Sequence, residues 1–216
     1  MVEGLRNNTV NQAAKKEQKT FTALLRVRFR GVLEPVARFL NRLGLMPNTV
    51  TILGLAGNCV GAYLLAEGHI TWGGVLVLLM GPVDALDGTM ARLRGEPSRF
   101  GAFVDSVTDR YSELIILLGL LIYFLRTGNK VACALVFLAA AGSVLVSYVK
   151  ARAEGLGYTS DVGILTRVER YIVMAPLLVF NQPLIAMWII AILANITAIQ
   201  RILHIRDQAD LERINK

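Results

Sequence analysis

Four aspartates set at helical intervals concentrate the chemistry of this chain. The stretch from Asp84 to Asp109 reads D-x-x-D-G-x-x-A-R, then eight residues, then G-x-x-x-D-x-x-x-D. On one helix Asp84, Asp87, Gly88, Ala91 and Arg92 fall at i, i+3, i+4, i+7 and i+8, a single face. On the next, Gly101, Asp105 and Asp109 share a face at i, i+4 and i+8, and Glu113 continues it as a buried hydrogen-bonded residue rather than a ligand. The surrounding sequence is oily enough for a membrane, where ionised carboxylates lose their hydration, so four of them call for a compensating cation. Arg92 alone cannot neutralise four aspartates, which argues against a purely structural ion-paired cluster. Oxygen ligands suit a hard cation, Mg²⁺ or Mn²⁺, better than zinc, for which His and Cys are missing. Four carboxylates are more than one Mg²⁺ takes from protein, so two metals sharing a bridging carboxylate fit, the arrangement that clamps a phosphoryl group during displacement. Gly88 and Gly101 clear space for an approaching ligand, although helix packing explains either glycine equally well when taken singly. Arg92 adds a forked cation matched to phosphate oxygens. The face is therefore expected to receive a phosphate-bearing ligand.

The elements that must position these residues are membrane helices. The chain has 216 residues, of which 54% are hydrophobic and 18% charged. Its mean hydropathy is +0.51. These values point to an integral membrane protein. Six segments near the roughly twenty residues that a bilayer core requires are expected at about 48–66, 71–93, 101–125, 130–151, 165–180 and 183–203. The predicted fold is all-α, a bundle of six transmembrane helices over 47–206 preceded by an amphipathic juxtamembrane helix over 20–46. In that helix apolar residues alternate with Arg26, Arg28, Arg30, Arg38 and Arg42, and Pro35 could break it. Residues 1–19 are polar and expected to be flexible, with no apolar core of a cleaved secretory signal, and 207–216 form a tail. Arg92, Arg94, Arg99, Lys150, Arg152, Arg167, Arg170 and Arg201 collect at one set of helix ends, and Glu67, His69, Arg126 and Lys130 at the other. The positive-inside rule puts the basic ends, both termini and the aspartates on the cytoplasmic side of a bacterial or archaeal-type membrane. An antiparallel hairpin of the second and third spans would set Asp84 opposite Asp109 and Asp87 opposite Asp105, in two facing layers. Cys59 and Cys133 read as small buried hydrophobes, and the small residues Ala139–Ser143 as a helix-packing or dimer seam. Lys150, Arg152, Arg167 and Arg170 are ordinary interfacial anchors taken one by one; together they could hold an anionic second substrate.

These residues make the stretch resemble the signature of the CDP-alcohol phosphotransferase family, D-x2-D-G-x2-A-R-x8-G-x3-D-x3-D, which it matches at all fixed positions and spacings. Pro47-Asn48 with Thr51 is similar to the family's entry to its first helix. The resemblance implies transfer of a phosphatidyl group from a CDP-linked lipid, usually CDP-diacylglycerol, to an alcohol with release of CMP, and a homodimer. It implies that Asp84, Asp87 and Asp105 bind two divalent cations. Asp109 would act as the general base and touch metal as well, while Gly88 and Arg92, with Gly101 and Thr51, contact the CDP moiety. The runs Ser147–Glu154 and Arg167–Arg170 are similar to the phosphatidylinositol-phosphate synthase branch, whose acceptor is inositol 1-phosphate. A basic pocket of Lys150, Arg152, Arg167 and Arg170 suits such a phosphorylated polyol and equally glycerol 3-phosphate, the acceptor of phosphatidylglycerophosphate synthase. Serine would need less positive charge.

Two other classes compete. The net charge of +7 could suggest nucleic acid, but no basic patch interleaved with stacking aromatics is present. A divalent-cation transporter would also carry intramembrane aspartates, yet it would favour them near the midplane and has no evident use for Arg92 beside the ligands.

Overall fold

The computed structural model describes residues 21–95 and 98–214, which form seven α-helices and, among those residues, no strand. They are α1 (Phe21–Arg42), α2 (Pro47–Ala66), α3 (Ile70–Arg94), α4 (Arg99–Arg126), α5 (Lys130–Gly155), α6 (Arg167–Val179) and α7 (Pro183–Ile214). The expected flexible stretch 1–19 lies outside the described residues, as do the side chains of Arg26, Arg28 and Arg30. Local chemistry sets the boundaries. Pro47 opens α2, where its missing N–H costs nothing. Gly95 ends α3 in the left-handed conformation, a helix stop that glycine adopts without steric cost. Ser98 caps α4 by accepting the Gly101 N–H at 2.8 Å, and Asn129 caps α5 by accepting from Ala132. Pro35 lies inside α1 without ending it, and α7 runs on as helix through most of the stretch expected to be a tail.

Four of these helices, α2, α3, α5 and α7, are long and apolar enough to cross a membrane. The expectation was six. α4 has the length, 28 residues, but between Arg99 and Glu113 it carries Arg99, Asp105, Asp109, Arg110 and Glu113; α6 has only 13 residues. The core lies where α2 packs on α3 and α4, and α5 on α7, with Leu65, Val77, Leu120, Ala139, Leu178, Met187 and Ala194 buried within it. A Cβ on Gly119 would overlap the Ala62 carbonyl, so α4 can approach α2 this closely only because no side chain is there. The small residues of α5 serve a similar end inside the chain. A Cβ on Gly142 would sit 2.7 Å from Asn195 Nδ2 and 3.0 Å from Ala194 Cβ of α7.

Two expectations change. α3 and α4 touch each other only sparsely and are not a closely packed hairpin; α2 packs against both and holds them apart. Cys59 is exposed rather than buried, while Cys133 is half-buried, and both are free thiols. Exposed Leu53, Val60, Trp72, Leu79, Leu118, Phe137 and Ile192 make the bundle's outer surface apolar, the inverse of a water-soluble protein.

Candidate active site

The gap that α2 keeps open between α3 and α4 is a cavity of about 500 Å³. Its walls include Thr51 of α2, Asp87, Gly88 and Arg92 of α3, and Gly101 and Asp105 of α4. The four residues expected to contact a CDP group therefore line one space with two of the four aspartates. Gly88 leaves it open: a Cβ there would meet only Arg92 Nη1, at 3.5 Å. Gly101 instead serves the helix start, where a Cβ would crowd the Ser98 hydroxyl at 2.9 Å. Asn48 and Ser98 also line the cavity.

Each aspartate is held differently. Asp87 is buried; it accepts the Thr51 hydroxyl at 2.5 Å and the Gly88 N–H at 2.5 Å. Asp84 lies against the backbone of α2 at Gly54, where a Cβ would stand 2.6 Å from its Oδ1. Arg167 of α6 bridges Asp84, at 3.3 Å, and buried Asp109. Arg110 stands 3.9 Å from Asp109 and donates mainly to the Ser106 carbonyl at 2.6 Å. Among the described residues no three carboxylate, imidazole or thiol side chains converge as a ready-made metal cage. The donor set is nevertheless all oxygen, and Arg167 stands between two of the acids, where compensating charge is needed. In kind, the residues fit hard divalent cations.

The basic residues expected to form an acceptor pocket divide into three settings. Arg167 faces the aspartates. Arg170, one turn on, is 2% exposed and grips Glu113 with both arms, Nε to Oε1 at 2.6 Å and Nη2 to Oε2 at 2.9 Å. It also donates to the Leu165 carbonyl at 3.3 Å. Lys150 pairs with Asp161 at 3.0 Å and Glu154 at 3.6 Å, and Arg152 is exposed. Arg94, also at the cavity, ties α3 to Asn41 and to the Leu45 carbonyl, at 2.7 and 2.6 Å.

Asn48, Gly54 and Tyr171 were not legible as site residues from the motif alone. A signal for the first two existed: Asn48, Thr51, Gly54 and Asn58 form a polar and small stripe along an otherwise apolar helix. Tyr171, whose hydroxyl meets the backbone of α3, gave no such signal because it opens the apolar run of α6 and reads as part of it.

Residues 44–200 match the model of one protein family, CDP-alcohol phosphatidyltransferase. The chain belongs to the CDP-alcohol phosphatidyltransferase family. The cavity and the four aspartates of this phosphatidyltransferase all lie within the matched region. The chain is 38% identical to a phosphatidylinositol phosphate synthase of Streptomyces avermitilis, over 84% of this chain and 80% of that one. It is 34% identical to an archaetidylinositol phosphate synthase of Pyrococcus horikoshii, over 87% and 97% of the two chains. A crystal structure of the Mycobacterium tuberculosis phosphatidylinositol phosphate synthase with CDP-DAG bound superposes with a TM-score of 0.76 at 33% identity, covering 81% of this chain and 93% of that one. The same enzyme in complex with manganese and citrate gives 0.75, with 80% and 88% covered.

Proposed function

We propose that this phosphatidyltransferase moves the phosphatidyl group of CDP-diacylglycerol onto the hydroxyl of inositol 1-phosphate and releases CMP. The cavity carries the reading. Motif residues from α3 and α4, joined by Thr51, surround a space large enough for a nucleotide headgroup, on an apolar bundle whose surface suits a lipid tail. The relatives named above, including the one solved with CDP-DAG, support the same substrate class.

In this reading Asp84, Asp87, Asp105 and Asp109 hold two Mg²⁺ or Mn²⁺ ions, and the manganese complex of the M. tuberculosis enzyme supports that choice. When bound, the ions supply positive charge to the pyrophosphate oxygens and to the departing CMP. Thr51 and the Gly88 N–H keep Asp87 turned into the cavity, while Gly88 leaves room for the diphosphate and Arg92 offers its fork to a phosphate oxygen. Asp109 is the general base. It takes the proton of the acceptor hydroxyl as that oxygen bonds to the lipid-bearing phosphorus; the bond from this phosphorus to the bridging oxygen breaks, and its electrons leave with CMP. Burial of Asp109 among protein groups keeps bulk water from competing for the same position.

Arg167, Lys150 and Arg152 bind the acceptor's phosphate, and Arg170 supports them by anchoring α6 to Glu113. Arg167 is central because one guanidinium reaches both aspartates and can turn from Asp109 toward a phosphate in reach of the same site. In the membrane α1 lies along the interface, α2 to α7 span it as six segments, and both termini with the active site face the cytoplasm. Two copies form a homodimer.

Release of labelled CMP from CDP-diacylglycerol, measured in membranes with an acceptor panel, tests the proposal. Inositol 1-phosphate should be the fastest acceptor, a chelator should stop the reaction, and added Mn²⁺ or Mg²⁺ should restore it. Faster turnover with glycerol 3-phosphate would replace the acceptor and leave the reaction class standing. Cation flux without CMP release would sink the enzyme reading altogether.

A further inference from the structure

α3 contains a defect one turn before its first aspartate. Pro82 has no N–H, so the Leu78 carbonyl lacks its usual intrahelical donor. The hydroxyl of Tyr171, reaching across from α6, fills that gap and more. It lies 2.7 Å from the Val77 carbonyl and 2.8 Å from the Leu78 carbonyl, with its one proton available to them, and it accepts the Gly81 N–H at 3.0 Å. In an unbroken helix the Gly81 N–H would bond the Val77 carbonyl. The phenol oxygen therefore engages both the donor and the acceptor of this rung of the ladder. Gly81 permits this, because a Cβ there would overlap the Tyr171 ring and hydroxyl. Proline and an inserted side chain are the two common causes of a redirected helix, and here they coincide three residues before Asp84. Tyr171 is also one turn from Arg167 on the same face of α6. One short helix thus grips α3 twice, at the Val77–Gly81 backbone and at the Asp84 carboxylate.

We propose that Tyr171 is a positioning residue: by inserting its hydroxyl into α3 at Gly81-Pro82, it sets the course of the following turn and so the placement of Asp84 and Asp87. It touches no substrate and acts through the backbone. The consequence for metal binding rests on the metal-dependent function proposed above, whereas the effect on the course of α3 does not.

The experiment uses the full chain in lipid nanodiscs, with Cys59 and Cys133 replaced by serine and spin labels at two exposed positions flanking the defect, Trp72→Cys and Leu93→Cys. Pulsed electron resonance reads the distance between the labels without metal, and titration with Mn²⁺ alone reads affinity in the unlabelled protein. Tyr171→Phe, which removes only the hydroxyl, should shift the distance distribution and weaken Mn²⁺ binding by roughly 10-fold or more, the usual loss when a supporting contact behind metal ligands is removed. Gly81→Ala, whose Cβ would displace the Tyr171 ring together with its hydroxyl, should shift the distance and weaken Mn²⁺ binding at least as much. Asn195→Ala, which removes hydrogen bonds to the Leu138 and Ala191 carbonyls far from the site, should leave distance and affinity at the parent values and so separates positioning from general loss of stability. An unchanged distance in Tyr171→Phe overturns the proposal whatever the metal data show. A shifted distance with unchanged Mn²⁺ affinity, in a parent that binds Mn²⁺ and loses it in Asp87→Asn, overturns it as well. If instead Asp87→Asn binds Mn²⁺ as the parent does, the metal reading is what fails, and the distance alone decides for or against Tyr171.

Discussion

At the scale of single residues, the site depends on which atoms are absent as much as on which are present. Gly54 has no role in the family motif, yet a methyl there would stand 2.6 Å from Asp84 Oδ1, so the carboxylate would have to turn away. Gly54→Ala should therefore fold and still lower kcat on the order of 10- to 100-fold, because small misplacements of a catalytic group are costly. CMP release by the purified variant, beside its thermal unfolding curve, checks this; an unchanged rate would mean that Asp84 can move without penalty. Asp109→Asn keeps the shape and removes the base. A loss of about 10²- to 10⁴-fold in kcat, with donor binding retained, is expected. Near-normal turnover would assign the proton to another group. Spacing alone revealed the four aspartates, since periodicity places them on faces. It could not reveal that Thr51 holds Asp87 or that Gly54 accommodates Asp84, because those partners come from another helix.

At the scale of elements, α6 does more than its 13 residues suggest. Arg170 is the pivot: 2% exposed, bidentate on Glu113 of α4 and bonded to the turn before its own helix. Truncating it strands Glu113, so Arg170→Ala should destabilise the protein by about 3–5 kcal/mol, the usual penalty for leaving a buried charge without its partner. Arg170→Lys should recover little, since an ammonium cannot replace the two-armed contact. Arg152→Ala offers the contrast. Its side chain is exposed, so the unfolding midpoint should stay put while KM for a phosphorylated acceptor rises more than KM for the lipid donor. Equal changes in both KM values would remove Arg152 from the acceptor site. The four basic residues look equivalent in the sequence because charge and spacing say nothing about burial. Arg167 and Arg170 meet successive acids of α4, Asp109 and Glu113, and differ because Arg167 stays partly open to the site while Arg170 is buried between α6 and its neighbours.

At the scale of the whole molecule, the apolar exterior and the one-sided charge imply an orientation that can be measured. In a background lacking Cys59 and Cys133, an impermeant maleimide applied outside intact cells should label Thr127→Cys in the α4–α5 turn. Leu156→Cys, in the loop after α5, should resist it until the membrane is opened. The reverse pattern would place the aspartates on the outer side. By itself the sequence determined the helical class, the helix boundaries within a few residues except the far end of α7, and the candidate site, because periodicity, caps and the motif are local properties of the chain. Only the tertiary structure decided that α3 and α4 stand apart around a cavity, that α2 forms its third wall and that the basic residues part company. The physical reason is that these features arise from contacts between helices distant in sequence. Close approach at Gly119 and Gly54, the Tyr171 hydroxyl on the Gly81 N–H and the pairing of Arg170 with Glu113 are each settled by a partner that local pattern cannot name.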